Sequence, residues 1–351
     1  MRHLFLMLFL FSSCSSWEQK EFEKDLGRSS EDVQPELSVS LKDQELLEKF
    51  QVKTVEKEEI SKAPDQKKNA LVTKKPTPKE SAKDVGPVKK AAEKTSVPRG
   101  VPKDFPEEMI SINARAQKVW EQYKPNHRVD DKLFLDIHFL GMTVGKIMAV
   151  NKGKKVVNGK EVWHFHARFK SAPFYSNIYE LDDTVDTFVT TDGFLSNRYS
   201  LIQRESKQDV DDLQIHDRDQ YKTFWFYQQK KKGKEKKNKN KESYIPYFSI
   251  DPFSVLFFYQ GLPLKTGDLY EIPVINKAKI LILRSVVEAR ESIDTEKGRR
   301  KAIRVHATTK YTGETLKSGE LYFWFSDDDR RQLLKVQAKI SLGSVTADIV
   351  D

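Results

Sequence analysis

Apolar and polar residues alternate with a period of two through most of the chain beyond residue 130. The clearest run sets Trp163, Phe165, Ala167 and Phe169 on one face and His164, His166, Arg168 and Lys170 on the other, as a strand with one face against a core does. Leu133, Leu135, Ile137 and Phe139 repeat the pattern, as do Ile303, Val305 and Ala307, then Leu321, Phe323 and Phe325, then Leu334, Val336, Ala338 and Ile340. Asn158-Gly159, Asp192-Gly193 and Ser318-Gly319 punctuate these runs with residues that tolerate positive φ, which tight hairpins require. The pattern predicts an all-β, mainly antiparallel domain over residues 105 to 351. Tyr221 to Tyr227 and Ile280 to Val287 are apolar on both faces. A strongly curved or barrel-like sheet explains that, because both faces of such strands are covered.

Two helices interrupt the strands. Glu107 and Glu108 open a segment in which Ile110, Ala114, Val119 and Trp120 share a face, ahead of Pro125; this predicts a lead-in helix over about 107–123. Asp251 suits a cap, Pro252 the first helical position and Gly261 the exit, which brackets a second helix at about 252–260. Phe253, Val255, Leu256, Phe257, Phe258 and Tyr259 make it apolar nearly all round, so it is expected deep on the concave side. Phe253, Leu256 and Phe257 are its candidate lining residues for a ligand cavity.

Upstream of Phe105 the composition changes. Ser15 to Lys103 is rich in Lys, Glu, Asp, Ser and Pro, with Trp17, Phe22 and Phe50 as its only aromatics. Such a segment buries too little apolar surface to offset its conformational entropy, so residues 14–104 read as a disordered linker. Leu46, Leu47 and Phe50 recur at helical spacing and predict a transient helix with no partner inside the linker. Before it, Met1-Arg2-His3 is basic, Leu4 to Phe11 is apolar, and Ser12-Ser13 precede Cys14. That order reads as a lipoprotein signal peptide over residues 1–13, with Cys14 the residue to be acylated; a cleaved secretory signal with an incidental cysteine is the alternative. Ser15 in place of Asp points to the outer membrane of a Gram-negative envelope. Cys14 is the sole cysteine, which excludes an intramolecular disulfide.

Several segments resemble a known family. Leu140-Gly141-Met142-Thr143-Val144-Gly145, the run DPFSVLFFYQGLPLKTGDLYEIPV from Asp251 to Val274, and the ending FWFSDDDRRQLLKVQAKISLGSVTADIVD from Phe323 resemble the domain of unknown function 3108 family of Gram-negative periplasmic proteins. The likeness covers residues 130–351. It implies an envelope location and curved antiparallel sheets, and it carries over no activity and no catalytic residue.

Candidate chemistry is sparse. His164 and His166 lie two apart on one strand face, a spacing that suits one metal, but no third ligand is evident, and exposed polar-face histidines account for them; no metal is assigned. Asp182, Asp183 and Asp186, and Asp327, Asp328 and Asp329, read as turn formers, with a pair of glycan-cleaving carboxylates as the remote alternative. Asp328 is expected to pair with Arg330 and Arg331. No Gly-rich phosphate loop or serine-nucleophile motif is present, and no cofactor is expected. Lys230, Lys231, Lys232, Lys234, Lys236, Lys237, Lys239 and Lys241 give one short stretch a net charge of +7 against +9 for the chain. The basicity is local and argues against a nucleic-acid partner; the stretch reads as a solvated hairpin loop, or as a surface for anionic lipid or wall polymer. The expected partners are the membrane, through the N-terminal lipid, and a lipid or cell-wall ligand. A non-enzymatic binding or carrier module ranks first, a structural or assembly lipoprotein second, a glycan hydrolase last.

Overall fold

The computed structural model describes residues 37, 40–55, 100–311, 319–340 and 343–350. The signal segment, Cys14 and Ser318 lie outside the described residues. Fifteen strands form one sheet: β1 (Val52–Thr54), β2 (Lys132–Phe139), β3 (Met142–Val157), β4 (Lys160–Ser171), β5 (Asp182–Thr190), β6 (Ser196–Glu205), β7 (Gln208–Asp217), β8 (Lys222–Lys231), β9 (Lys237–Tyr244), β10 (Leu269–Asn276), β11 (Lys279–Thr295), β12 (Gly298–Tyr311), β13 (Glu320–Ser326), β14 (Leu333–Ile340) and β15 (Gly343–Ile349). The order is β10 through β15, then β2 through β9, every neighbour antiparallel, with β1 added on β3. Turn chemistry holds at one of the expected sites, where Asn158 and Gly159 join β3 to β4 with φ of 51° and 67°, the doubly left-handed turn that matches strand twist; between β5 and β6 the positive φ falls on Phe194 and not on Asp192 or Gly193.

The helices are α1 (Leu41–Lys49), α2 (Glu107–Trp120), α3 (Pro173–Ser176) and α4 (Val255–Phe258), the last running into a 3-10 turn over Tyr259–Gly261. The lead-in helix thus stops at Trp120. The helix expected over 252–260 is a single α turn plus a 3-10 turn, started by Asp251, whose carboxylate accepts the Phe253 and Ser254 amides at 3.0 and 2.9 Å. Its rings fill the concave side: Phe257 stacks on Phe165 at 4.1 Å and Phe258 on Tyr123 at 4.8 Å. Gly261 is required there, because a Cβ would lie 2.2 Å from the Tyr123 ring. Ile303, Val305, Ala307 and Phe325 close this core from the opposite strands, fully buried.

β9 and β10 remain the two edges of the sheet, with no ladder between them. The tip of the β10–β11 hairpin bridges the gap instead. Lys277 and Ala278 both take positive φ, 53° and 55°, which costs about 1–2 kcal/mol at each non-glycine residue. The cost is offset by anchoring: the Lys277 amide donates to Gln214 Oε1 at 2.8 Å, its ammonium pairs with buried Asp212 at 3.2 Å, and Ser243 Oγ donates to the Ala278 carbonyl.

One part of the expected linker is folded. Ser40 caps α1, and Phe50 at its end is fully buried against Val157, Val162, Phe188, Leu213, Ile215 and Phe226. β1 then extends the sheet at β3. This strap, residues 40–54, finds the partner that its own neighbourhood in the sequence lacks, and it covers the outer face of β4–β8. The apolar character of both faces near Tyr227 has this cause: Phe224 and Phe226 meet the strap, while Trp225 and Tyr227 point to the opposite side.

Candidate functional site

Two features of the outer face stand out, a cleft beside the strap and a buried polar cluster beneath it. The cleft, about 510 Å³, lies between α1 and the β8–β9 hairpin. Leu46, Phe224 and Phe226 supply apolar wall, and Lys49, Lys222 and Lys241 share the lining with the carboxylates Asp43, Glu45 and Glu242. Lys49 pairs with buried Asp217 at 2.8 Å, and Lys222 pairs with Glu242. Lys241 makes no ion pair among the described residues and stands opposite Trp225 in the β8–β9 register, so its side chain shares the Trp225 face rather than that of Phe224 and Phe226.

The remaining lysines take an unexpected form. The stretch expected as a solvated hairpin loop is a hairpin whose strands reach into the lysine run: Lys230 and Lys231 end β8, Lys232, Lys234 and Lys236 fall in the turn, and Lys237, Lys239 and Lys241 belong to β9. All are exposed. Lysine is a poor strand former, but β9 is an edge, where lysines block pairing with other chains. Lys239 lies over the Tyr227 ring at 6.0 Å.

His164 and His166 are not exposed; each is 2 % accessible. Period-two spacing puts them on one face of β4, and the β4–β5 register sets Asp186 opposite His166. His164 Nε2 and His166 Nδ1 reach the same Asp186 oxygen at 2.7 and 2.8 Å. Burial pushes the Asp186 carboxyl up, but the two ring hydrogen bonds outweigh it and hold it below the ordinary range. Burial lowers His164 and keeps its ring neutral, against the pull of Asp186. Arg198, itself buried, adds a cation near Asp186 and donates to the Phe50 carbonyl at 3.2 Å, so the cluster touches the strap's anchor.

The aspartates also depart from the turn reading. Asp182, Asp183 and Asp186 belong to β5 itself. Asp182 takes both nitrogens of Arg168 at 2.7 and 2.6 Å. Asp183 accepts from Gln203 at 2.9 Å and the Arg204 amide at 3.0 Å, and burial together with the Glu205 charge pushes it up to about 7. Asp183 and Asp186, three apart in a strand, face opposite sides of the sheet and cannot flank one glycosidic bond. Asp328 does form a turn, accepting the Ser326 hydroxyl and the Arg330 and Arg331 amides. The expected ion pairs go elsewhere, however: the Arg330 guanidinium reaches Asp131 and that of Arg331 the Pro263 carbonyl.

Phe253 and Phe257 are buried and Leu256 half-buried. A small cleft of about 40 Å³ between His127, Gln260 and Arg330 reaches Phe257.

The match to known sequence families is decisive over residues 135–350, where the model for the protein of unknown function DUF3108 aligns. The chain belongs to the DUF3108 family. That family is described as one of Gram-negative periplasmic and envelope proteins, consistent with an envelope location. No curated protein sequence matches this DUF3108 member. Among solved structures, it is similar to a β-barrel-like protein of domain of unknown function DUF1849 from Brucella abortus, at 10 % identity and a TM-score of 0.41, over 64 % of this chain and 96 % of that one. A putative lipoprotein from Parabacteroides distasonis aligns at 8 % identity and a TM-score of 0.27, over 65 % of this chain and 97 % of that one.

Proposed function

We propose that this DUF3108 protein is a non-enzymatic outer-membrane lipoprotein, anchored through Cys14, whose barrel-like domain holds an amphipathic lipid in the cleft between α1 and the β8–β9 hairpin. The observation that carries the reading is the cleft itself: about 510 Å³, walled by Leu46, Phe224 and Phe226 and edged by both lysines and carboxylates. Ligand sites of this kind are concave, mostly apolar and punctuated by a few charges. An acyl chain lies along Phe224 and Phe226, and an anionic headgroup meets Lys222, which shares their face. The other lysines of the hairpin, from Lys230 to Lys239, continue the positive surface toward anionic headgroups.

The test is mass spectrometry of lipid that co-purifies with the full chain, followed by titration with a fluorescent single-chain phospholipid. Phe224→Asp is expected to lower bound lipid at least 10-fold, and Lys222→Glu to weaken anionic more than zwitterionic headgroups. Co-purified lipid and affinity that are indifferent to both substitutions would remove the cleft as the site.

A further inference from the structure

His164, His166 and Asp186 form a cluster that lipid binding does not use. Strand pitch puts the two imidazoles on one face, and register brings a carboxylate from the neighbouring strand directly opposite. The three donor atoms lie within 4.8 Å of one another. We propose that His164 Nε2, His166 Nδ1 and Asp186 Oδ1 constitute a site for one divalent zinc ion.

Donor chemistry selects the metal. Two imidazoles and one carboxylate suit zinc, whereas calcium and magnesium take oxygen ligands. An ion at about 2.0–2.1 Å from each donor sets them roughly 3.3 Å apart. The present separations of 2.7 and 2.8 Å from each ring to Asp186 therefore open by roughly 0.5 Å, within the reach of side-chain rotation. A ring that coordinates through its near nitrogen carries its proton on the far one. On His164 that far nitrogen, Nδ1, is buried and has no hydrogen-bond partner.

Two features oppose the ion and set its affinity. A ligating histidine ordinarily donates its far N–H to an acceptor, and lacking one costs about 10- to 100-fold in affinity. Arg198 and Lys152 also add positive charge, Arg198 beside Asp186 and Lys152 near His164. Arg198 gives the proposal a signature that runs against simple damage. Removing its charge should tighten zinc binding, although it removes a bond to the strap.

The experiment uses the full chain in detergent, without a histidine tag, stripped with chelator and titrated with zinc by calorimetry, with metal content checked by mass spectrometry. One equivalent is expected in the wild type, none in Asp186→Asn or His166→Gln, and one with several-fold higher affinity in Arg198→Met. His138→Gln, at an exposed histidine pair with Asp348, should leave the equivalent in place. Should a variant fail to fold by circular dichroism, cobalt loading of the wild type decides: a four-coordinate visible spectrum supports the site and a six-coordinate aqueous one overturns it. Wild type that takes up no zinc, or zinc uptake indifferent to both Asp186→Asn and His166→Gln, also overturns it.

Discussion

Phe50→Ala separates a strap that is docked from one that is part of the core. The Phe50 ring is wholly buried among Val157, Phe188, Leu213 and Phe226, and truncating such a ring inside a rigid core costs about 3–5 kcal/mol. The strap, however, has a way out that a core strand lacks. Ordering its backbone costs about 1–2 kcal/mol per residue over residues 40–54. The return is the apolar contact of Leu46, Leu47, Phe50 and Val52, the short β1–β3 ladder and the Lys49–Asp217 pair. A short strap held by so few contacts opens locally more easily than a core strand, so the variant should release it rather than keep a hole. Hydrogen exchange should show Val52–Thr54 unprotected in Phe50→Ala while the amides of β11–β13 keep their wild-type protection. Urea unfolding of the remaining sheet should move by less than about 3 kcal/mol. Continued protection at Val52–Thr54 together with the full core penalty would refute the argument and make the strap an integral strand.

Two further substitutions probe the interior. Asp251 is inaccessible and takes hydrogen bonds from the hydroxyls of Thr187, Ser196 and Ser254 and the amides of Phe253 and Ser254; Asp251→Ala leaves these donors unpaired and should cost at least about 3 kcal/mol in denaturant unfolding, whereas a loss under about 1 kcal/mol would show that the α4 start does not depend on it. Asp183 titrates near 7 when folded, against 3.8 for its ordinary value. The folded state therefore holds the proton more tightly, and the stability from this group is full below about pH 4 and lost as pH rises through about 7, roughly 4 kcal/mol in all. Asp183→Asn should flatten the rise of unfolding midpoint on acidification from pH 7 to pH 4; an unchanged slope would assign that dependence to other groups.

The elements were legible where local pattern decides them. Alternation located β2, β4, β12, β13 and β14, the Asn158-Gly159 pair set a hairpin, and Asp251 marked a helix start because its carboxylate caps the amides that follow. What escaped was burial decided at a distance. Alternation told which face His164 and His166 share, but not that residues 40–54, more than a hundred positions earlier, cover that face. Asp186 could not be joined to them either, because the register of two strands and not spacing in the chain brings it opposite His166. The aspartate run at 182–186 and the lysine run at 237–241 have low strand propensity, yet Arg168, Gln203, the two histidines and the β8 ladder hold them in strands. Tertiary partners override propensity in both.

The strap also changes what an anchor at Cys14 does. A linker free from Cys14 to Phe105 would allow the domain to stand as far as roughly 300 Å from the membrane, at about 3.3–3.6 Å per residue. Leu37 packs on the same cluster as the strap, so the span from Cys14 ends there, and the same arithmetic caps the distance at about 80 Å. The chain then leaves the domain at the capped end of α1, next to Asp43 and Glu45 on the wall of the cleft. In the proposed lipoprotein, the anchor and the lipid cleft therefore lie at the same end of the strap, and loss of docking has two effects at once. It removes one wall of the cleft, and it lets the domain move away from the bilayer that supplies the ligand. A Phe50→Ala chain should accordingly carry less lipid even with Phe224 and Lys222 intact, which ties the binding reading to the docked state of residues 40–54.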